Sequence, residues 1–438
     1  MKPNIMEMVV AQDRCIGCGV CDTICPVNVL NMDFNSAGMY QPFESEGCLD
    51  KCTLCLDVCP FIETNKGEHE IAESLYANGS NVNFHKDLGY FINTYEIHKH
   101  DESDRFPSAS GGAGHWVLSA LLKNKKVDHI LSIEPNDDPD RLFKFSVFDS
   151  VAELNRVRGS VYYPTELSEV LDYVMEHEGT YAITVLPCYA KAIRLAQAKN
   201  HKLRKRIKFL IGLVCGQMKS TKFTTELAKK AIGSATLGSV KYRVKQPDQP
   251  ASNFAFEFKG EDGSVGRLSW TAQLDGVAPY WSNRLFTPMA CNSCTDVFAL
   301  DADLVLMDAW LPEYIKDYRG HTLIIVRTNE LDEMVREAKS ISVKSINYQK
   351  VFQSQKGVVQ NKTYFAKGTY NPIKKSIILL KTKIQGLSHE DTWSEATTAK
   401  YIKYIRVLEK VNILISHPGR SAKQIINKLL KFCKVNKK

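Results

Sequence analysis

The pattern of apolar and polar positions changes character along the chain. From about Tyr90, apolar runs of strand length alternate with stretches whose apolar residues recur every three to four positions. Val127–Glu134, Tyr181–Pro187, Phe209–Cys215, Ala302–Ala309 and Thr322–Thr328 read as strands, the third short and apolar enough to be buried. Ala113–Lys123, Leu167–Glu176, Ala190–Ala198 and Thr221–Ile232 read as helices. Strands alternating with helices predict an α/β domain over residues 90–330 with a parallel or mixed sheet. Val240–Leu268 is richer in alternation and turn residues, which suggests an antiparallel insertion. Residues 1–65 form a separate module, and the polar, irregular residues 66–89 read as a linker. Residues 331–438 read as a basic, helical C-terminal region.

Composition narrows this picture without changing it. The 438 residues allow two to four domains, and 44% hydrophobic with 24% charged residues is ordinary for a soluble globular chain. No apolar stretch approaches the ~20 residues that cross a bilayer, and Met1–Asp13 is too short and polar for a signal peptide. The net charge of +8 is uneven: Tyr401–Lys438 holds ten Lys or Arg against one acid, Glu409. A solvated basic face is one reading. The other is a peripheral membrane contact, because Ile425, Ile426, Leu429, Leu430 and Phe432 interleave with Lys423, Lys428, Lys431 and Lys434 over Ala422–Val435. Nucleic acid is not expected as a partner, since no recognition module accompanies the charge.

The chemistry lies in the cysteines. Eight of thirteen fall within the first sixty residues, as Cys15-x2-Cys18-x2-Cys21-x3-Cys25-Pro26 and Cys48-x3-Cys52-x2-Cys55-x3-Cys59-Pro60. This is the spacing of two-cluster ferredoxins, in which the fourth cysteine of each run serves the other cluster. Cys15, Cys18, Cys21 and Cys59 are therefore expected to hold one [4Fe–4S] cluster, and Cys48, Cys52, Cys55 and Cys25 a second. A disulfide framework or zinc ribbon fits two Cys-Pro endings poorly. Thiolates that must stay unpaired imply a reducing cytoplasm.

Of the other five, Cys188 and Cys215 end two successive apolar runs, and Cys291 and Cys294 form a CxxC before Thr295-Asp296. Parallel strands bring their C-terminal ends to one sheet edge, where open α/β sheets bind ligands. Cys188, Cys215, Cys291 and Cys294 are thus candidates for a third [4Fe–4S] cluster, against two structural cysteines plus an idle CxxC. Cys433 reads as an incidental thiol. The Ser108–Gly114 run before a helix fits a flavin or nucleotide phosphate, though such loops are usually caps.

In this order the motifs resemble the family of coenzyme F420 hydrogenase/dehydrogenase beta subunits, which also includes 7-hydroxymethyl chlorophyll a reductases. The resemblance covers residues 10–330. It rests on the two cysteine runs, Ser110-Gly111-Gly112, Arg158-Gly159-Ser160-x-Tyr162, Pro187-Cys188, Gly212–Cys215, Cys291-x2-Cys294-Thr-Asp with Asp308-Ala309-Trp310, and His321–Thr328. The resemblance implies an FAD beside the clusters, with Ser110, Gly111, Gly112, Arg158, Gly159, Ser160 and Tyr162 near it. It also strengthens the case for the third cluster. Val161, Leu186, Met307 and Gly216-Gln217 depart from the family pattern, which weakens the case for coenzyme F420 as the hydride partner. The function expected is an oxidoreductase passing electrons between ferredoxin-type clusters and FAD, with hydride exchange to a small-molecule substrate or a deazaflavin. The alternative is an electron-transfer subunit serving a partner enzyme. A member that keeps its clusters but not its flavin is a third possibility. Ferredoxin or another redox protein is the expected partner. His115, Tyr162 and Asp308 are the acid/base candidates.

Overall fold

A computed structural model describes residues 4–271 and 275–368. Its centre is an eight-stranded mixed sheet built from β1 (Asn93–Lys99), β2 (His129–Pro135), β3 (Phe143–Phe148), β4 (Tyr181–Val185), β5 (Ile207–Leu213), β6 (Leu304–Asp308), β7 (Thr322–Val326) and β8 (Ile341–Ser345). The spatial order is β8-β1-β7-β6-β5-β4-β2-β3. The four middle strands β6, β5, β4 and β2 run parallel, and antiparallel pairs flank them on both sides.

Strands β4, β5 and β6 are mostly apolar because both of their faces are covered. Along each strand the side chains alternate between two cores. Ile183, Leu210, Val305 and Ile325 face one core, together with Pro187–Lys199 and Ser168–Glu176. Ala182, Ile211, Leu304 and Ile324 face the other, with helix Ala113–Lys123. The expected insertion is a three-stranded antiparallel sheet, Leu237–Val244, Ala255–Gly260 and Val265–Ser269. It packs aromatic residues Tyr242, Phe254, Phe256 and Phe258 onto Phe223 of helix Thr221–Ile232.

The cysteine-rich module is docked on the first core, to which it contributes Ile16, Val20, Ile24 and Val58. Leu167 N–H donates to the Cys18 carbonyl at 3.1 Å, and Thr23 Oγ1 to that of Ser168 at 3.3 Å.

Three readings of the sequence are corrected. Residues 66–89 are not an irregular linker: they form helix Glu68–Tyr76 and the hairpin Asn83–His85/Gly89–Phe91. Few apolar residues mark that helix, but Ile71, Ala72 and Tyr76 share its buried face, and Tyr76 hydrogen-bonds the Asp301 carbonyl and Asp303 at 3.0 Å each. The α/β fold does not stop at 330, because β8 pairs with β1 and helix Tyr348–Gly368 packs behind it. Ile-Ser-Val-Lys-Ser is too short and polar to stand out from the basic run around it. Third, Cys188 does not end a strand: β4 stops at Val185 and Pro187 opens a helix, so Cys188 lies in its first turn. Residues 401–438, with Ala422–Val435 and Cys433, lie outside the described residues. No described helix is long and apolar enough to cross a membrane.

Candidate metal and cofactor centres

The N-terminal cysteines sort themselves into two cavities. Cys15, Cys18, Cys21 and Cys59 line one, walled by Ile5, Val9, Ile16 and Val58. Cys25, Cys48, Cys52 and Cys55 line the other, with Val27, Val29, Leu30 and Leu54. Each cavity thus takes three cysteines of one run and one of the other. The first loop is wound tightly enough to require glycine: Gly17 has φ +68°, and a Cβ there would stand 2.2 Å from the Tyr40 carbonyl oxygen.

All twelve described cysteines are free of disulfides. Burial pushes the Cys15 thiol up to about 11 and that of Cys59 to about 12, and drives Cys18 and Cys21 higher still. Four thiols in an apolar pocket do not ionise by themselves. A bound metal centre supplies the positive charge that makes them thiolates, so the donor sets fit iron–sulfur clusters. Cys48 is exposed, which puts the second cavity at the surface.

Cys188, Cys215, Cys291 and Cys294 converge at the C-terminal edge of the parallel strands. They are close enough that each of the other three raises the Cys188 thiol further, after burial itself. Cys215 N–H is held by the Val297 carbonyl at 3.1 Å, and the Met218 N–H donates to Cys291 Sγ at 3.4 Å. The CxxC lies on a single 3₁₀ turn, Met289–Asn292, and its flank. Arg284 pins that turn through Asn292 Oδ1 at 2.9 Å and the Cys291 carbonyl at 3.1 Å. Lys362, which nothing in the sequence marks, is 2% exposed and places Nζ 3.2 Å from Cys294 Sγ. Burial opposes its charge, but the neighbouring thiols outweigh burial and hold its pKa above the ordinary lysine value.

The residues expected near FAD meet at the same edge. The Ala109 N–H donates to the Arg158 carbonyl at 2.9 Å, joining the two loops. Ser110, with φ +49°, donates to the His321 carbonyl at 2.5 Å, and Gly111 N–H to Thr322 Oγ1 at 3.0 Å. A Cβ on Gly111 would stand 2.7 Å from the Ile97 carbonyl, and one on Gly112 2.9 Å from the Lys99 side chain. The small residues therefore let this loop seat against β1 and β7. Around Gly159 the space is open. Ser160 bridges to Tyr242 of the insertion. Arg158 Nη1 donates to Asp104 at 2.8 Å, while its buried Nε has no partner among the described residues.

Beside them lies a small cleft lined by Ser110, Arg243, Lys245, Asp308, Trp310 and His321 among others. Arg243 grips Asp308 with two bonds of 2.7 and 2.6 Å, from a strained φ of +59° at a β-bulge. Lys245 Nζ donates to the Arg105 and Ser110 carbonyls at 2.6 and 2.7 Å. Burial, with the Arg105 and Arg243 charges, brings its pKa down to about 7. Behind the cleft Glu96 Oε1 accepts from His98 at 2.8 Å and His321 at 2.6 Å. Burial opposes its ionisation, but the two imidazoles outweigh it and hold the carboxyl at about 2. His115 is brought to about 4 by burial and then by Lys99 and Arg158, so it is neutral at ordinary pH. Arg243, near the end of strand Leu237–Val244, and Lys245, just past it, belong to no motif, so nothing in the sequence marks them.

The centres are neighbours in a definite order. Cys55 of the second cavity acts electrostatically on Cys21 of the first. Tyr189, fully buried, is raised by burial first and then by Cys188, Cys18 and Cys15, among others. Tyr162, raised chiefly by burial, feels Arg243, Asp308 and Cys215. This runs from the exposed Cys48 cavity to the Arg243–Asp308 cleft.

Comparison with known proteins gives three regions of similarity. Residues 14–62 match the 4Fe-4S dicluster domain. Residues 94–172 match the N-terminal part, and residues 179–349 the C terminus, of the coenzyme F420 hydrogenase/dehydrogenase beta subunit. One of the subunits of the F(420)H(2) dehydrogenase of Methanosarcina mazei is 22% identical over 351 residues, covering 78% of this chain and 87% of the relative. An uncharacterized ferredoxin of Methanocaldococcus jannaschii is 34% identical over 55 residues, 13% of this chain and 70% of that protein. A chain in the structure of the F420-reducing [NiFe] hydrogenase complex from Methanosarcina barkeri superposes with a TM-score of 0.50 at 16% identity. The superposition covers 66% of this chain and 97% of that one, which is a likeness of fold.

Proposed function

Because the chain belongs to the family of coenzyme F420 hydrogenase/dehydrogenase beta subunits, we propose that it is an iron–sulfur flavoprotein oxidoreductase. In this reading it relays electrons between ferredoxin-type clusters and an FAD that exchanges hydride with a small molecule. The observation that carries the reading is the adjacency of the centres: Cys18 of the first cavity and Cys188 pack on one core with Tyr189 and Cys291, and β5, which leads to Cys215, pairs with β6, which leads to Asp308 of the cleft.

Bound flavin supplies what clusters cannot, the exchange between a two-electron hydride and single electrons. The chain's own residues bind and orient. Arg158, with its unpartnered buried Nε, and the open space at Gly159 suit an anionic phosphate. The Arg243–Asp308 pair fixes the cleft wall. Lys245 is charged below about pH 7 and adds positive charge to the cleft there. Cys15, Cys18, Cys21 and Cys59 would hold one cluster, Cys25, Cys48, Cys52 and Cys55 the second, and Cys188, Cys215, Cys291 and Cys294 a third.

The second reading is an electron-transfer subunit whose hydride chemistry resides in a partner. It is favoured by the M. mazei relative, which by name is one component of a dehydrogenase. Stopped-flow mixing of the anaerobic, cofactor-loaded chain with reduced coenzyme F420 separates the two. The flavin band is expected to bleach first and the broad cluster absorbance after it. If reduced viologen bleaches the clusters but the hydride donor bleaches nothing, the second reading replaces the first for this donor.

A further inference from the structure

We propose that Lys362 is a built-in charge partner of the third cluster, donating a hydrogen bond to the Cys294 thiolate and raising that cluster's reduction potential. The inference rests on the third-cluster reading above and goes beyond it. Lys362 lies in helix Tyr348–Gly368, past residue 349, where the matched C-terminal region ends.

Lys362 is 2% exposed. A buried ammonium without a compensating anion is expensive enough that such groups are nearly always paired. Its hydrogen bonds go to Cys294 Sγ at 3.2 Å and to the Asp296 carbonyl. Among the described residues no carboxylate oxygen lies within 4 Å of it, whereas Lys191, Arg194 and Arg243 all have acidic partners. The anions that compensate Lys362 are therefore the thiolates. With a cubane bound, that set is negative, and it gains one more negative charge when reduced, taking up one electron and no proton.

A fixed positive charge in a poorly solvated site stabilises the more negative state more. Hydrogen bonds to cluster sulfurs and local charge are among the levers that set such potentials. Lys362 is therefore a positioning residue, acting through Cys294. Its effect is to make the third cluster a better acceptor than its thiols alone would give. The electron it favours comes from the neighbouring flavin in one direction of flow and from the N-terminal clusters in the other.

The test is a potentiometric titration of the anaerobic full chain, followed by electron paramagnetic resonance, on wild type, Lys362→Met and Lys362→Arg. In Lys362→Met with three clusters loaded, the ratio of reduced to oxidised third cluster at a fixed potential should fall about tenfold, a shift of 59 mV for a one-electron couple. Lys362→Arg should stay near wild type. An unchanged midpoint in fully loaded Lys362→Met overturns the proposal. If Lys362→Met loses only the third cluster while Lys362→Arg keeps it, the charge is needed to hold the anionic centre, which supports the proposal. If both variants lose it, the lysine packs rather than tunes, and the proposal falls. Wild-type chain with only about eight irons, two cubanes' worth, sinks the underlying third-cluster reading before any substitution is read.

Discussion

Replacing Cys188 with serine is expected to remove about four irons per chain, one cubane's complement, and to cut the flavin off from the N-terminal clusters. Cys188 is close enough to Cys215, Cys291 and Cys294 for each to act on its thiol, and Tyr189 beside it packs on the core that Cys18 also joins. It thus belongs to the set between the two ends of the relay. The eight N-terminal ligands lie in separate cavities and should keep their iron. Iron and acid-labile sulfide analysis reads the first effect. Stopped-flow reduction reads the second, with the flavin still bleaching and the N-terminal clusters bleaching at least tenfold more slowly. Wild-type iron content in the variant would mean that Cys188 is no ligand.

The second large effect is on stability. Asp303→Ala should lower stability by about 3–5 kcal/mol, the cost of leaving a buried charge without its partner. Asp303 is buried and accepts hydrogen bonds from Tyr76 at 3.0 Å, Arg194 at 2.9 Å and the Leu210 N–H at 2.7 Å. It ties together the 68–76 helix, helix Pro187–Lys199 and β5. The alanine would leave the Arg194 guanidinium, itself 9% exposed, with only the Tyr76 hydroxyl, the Asp301 carbonyl and Gln197. A fall in Tm of roughly 5 °C is expected for a unit of this size, measured on the cofactor-loaded chain by circular dichroism. Asp303→Asn keeps two acceptor sites and should fall less. An unchanged Tm in the alanine variant would mean that Arg194 finds another anion.

Much of this arrangement was legible in the chain because it is written in short, local signals. Cysteine spacing alone divides the N-terminal eight into the two sets that line the two cavities. Apolar runs mark β2, β4, β5, β6 and β7, since strands covered on both faces bury mostly apolar side chains. Helices Ala113–Lys123 and Thr221–Ile232 fall where the periodicity puts them. What escaped is what only tertiary partners explain. Strand β1, Asn-Thr-Tyr-Glu-Ile-His-Lys, looks like a polar segment, yet Thr94, Glu96 and Lys99 are buried because Ile346, two histidines and Asp104 receive them. Helix Glu68–Tyr76 is ordered by Asp301 and Asp303, more than two hundred residues away. Lys362 reads as one lysine among many in a basic tail, and only the fold brings it to Cys294. The flavin-motif glycines were legible as a loop, but their tight fit against Ile97 and Lys99 belongs to the packing.

Cofactor content tests the central claim most directly. The account predicts that the anaerobically purified chain carries about twelve irons with matching sulfide, as three cubanes require, together with one extractable flavin. About eight irons and no flavin would contradict it. That result would leave a two-cluster electron carrier docked on an α/β scaffold without hydride chemistry of its own.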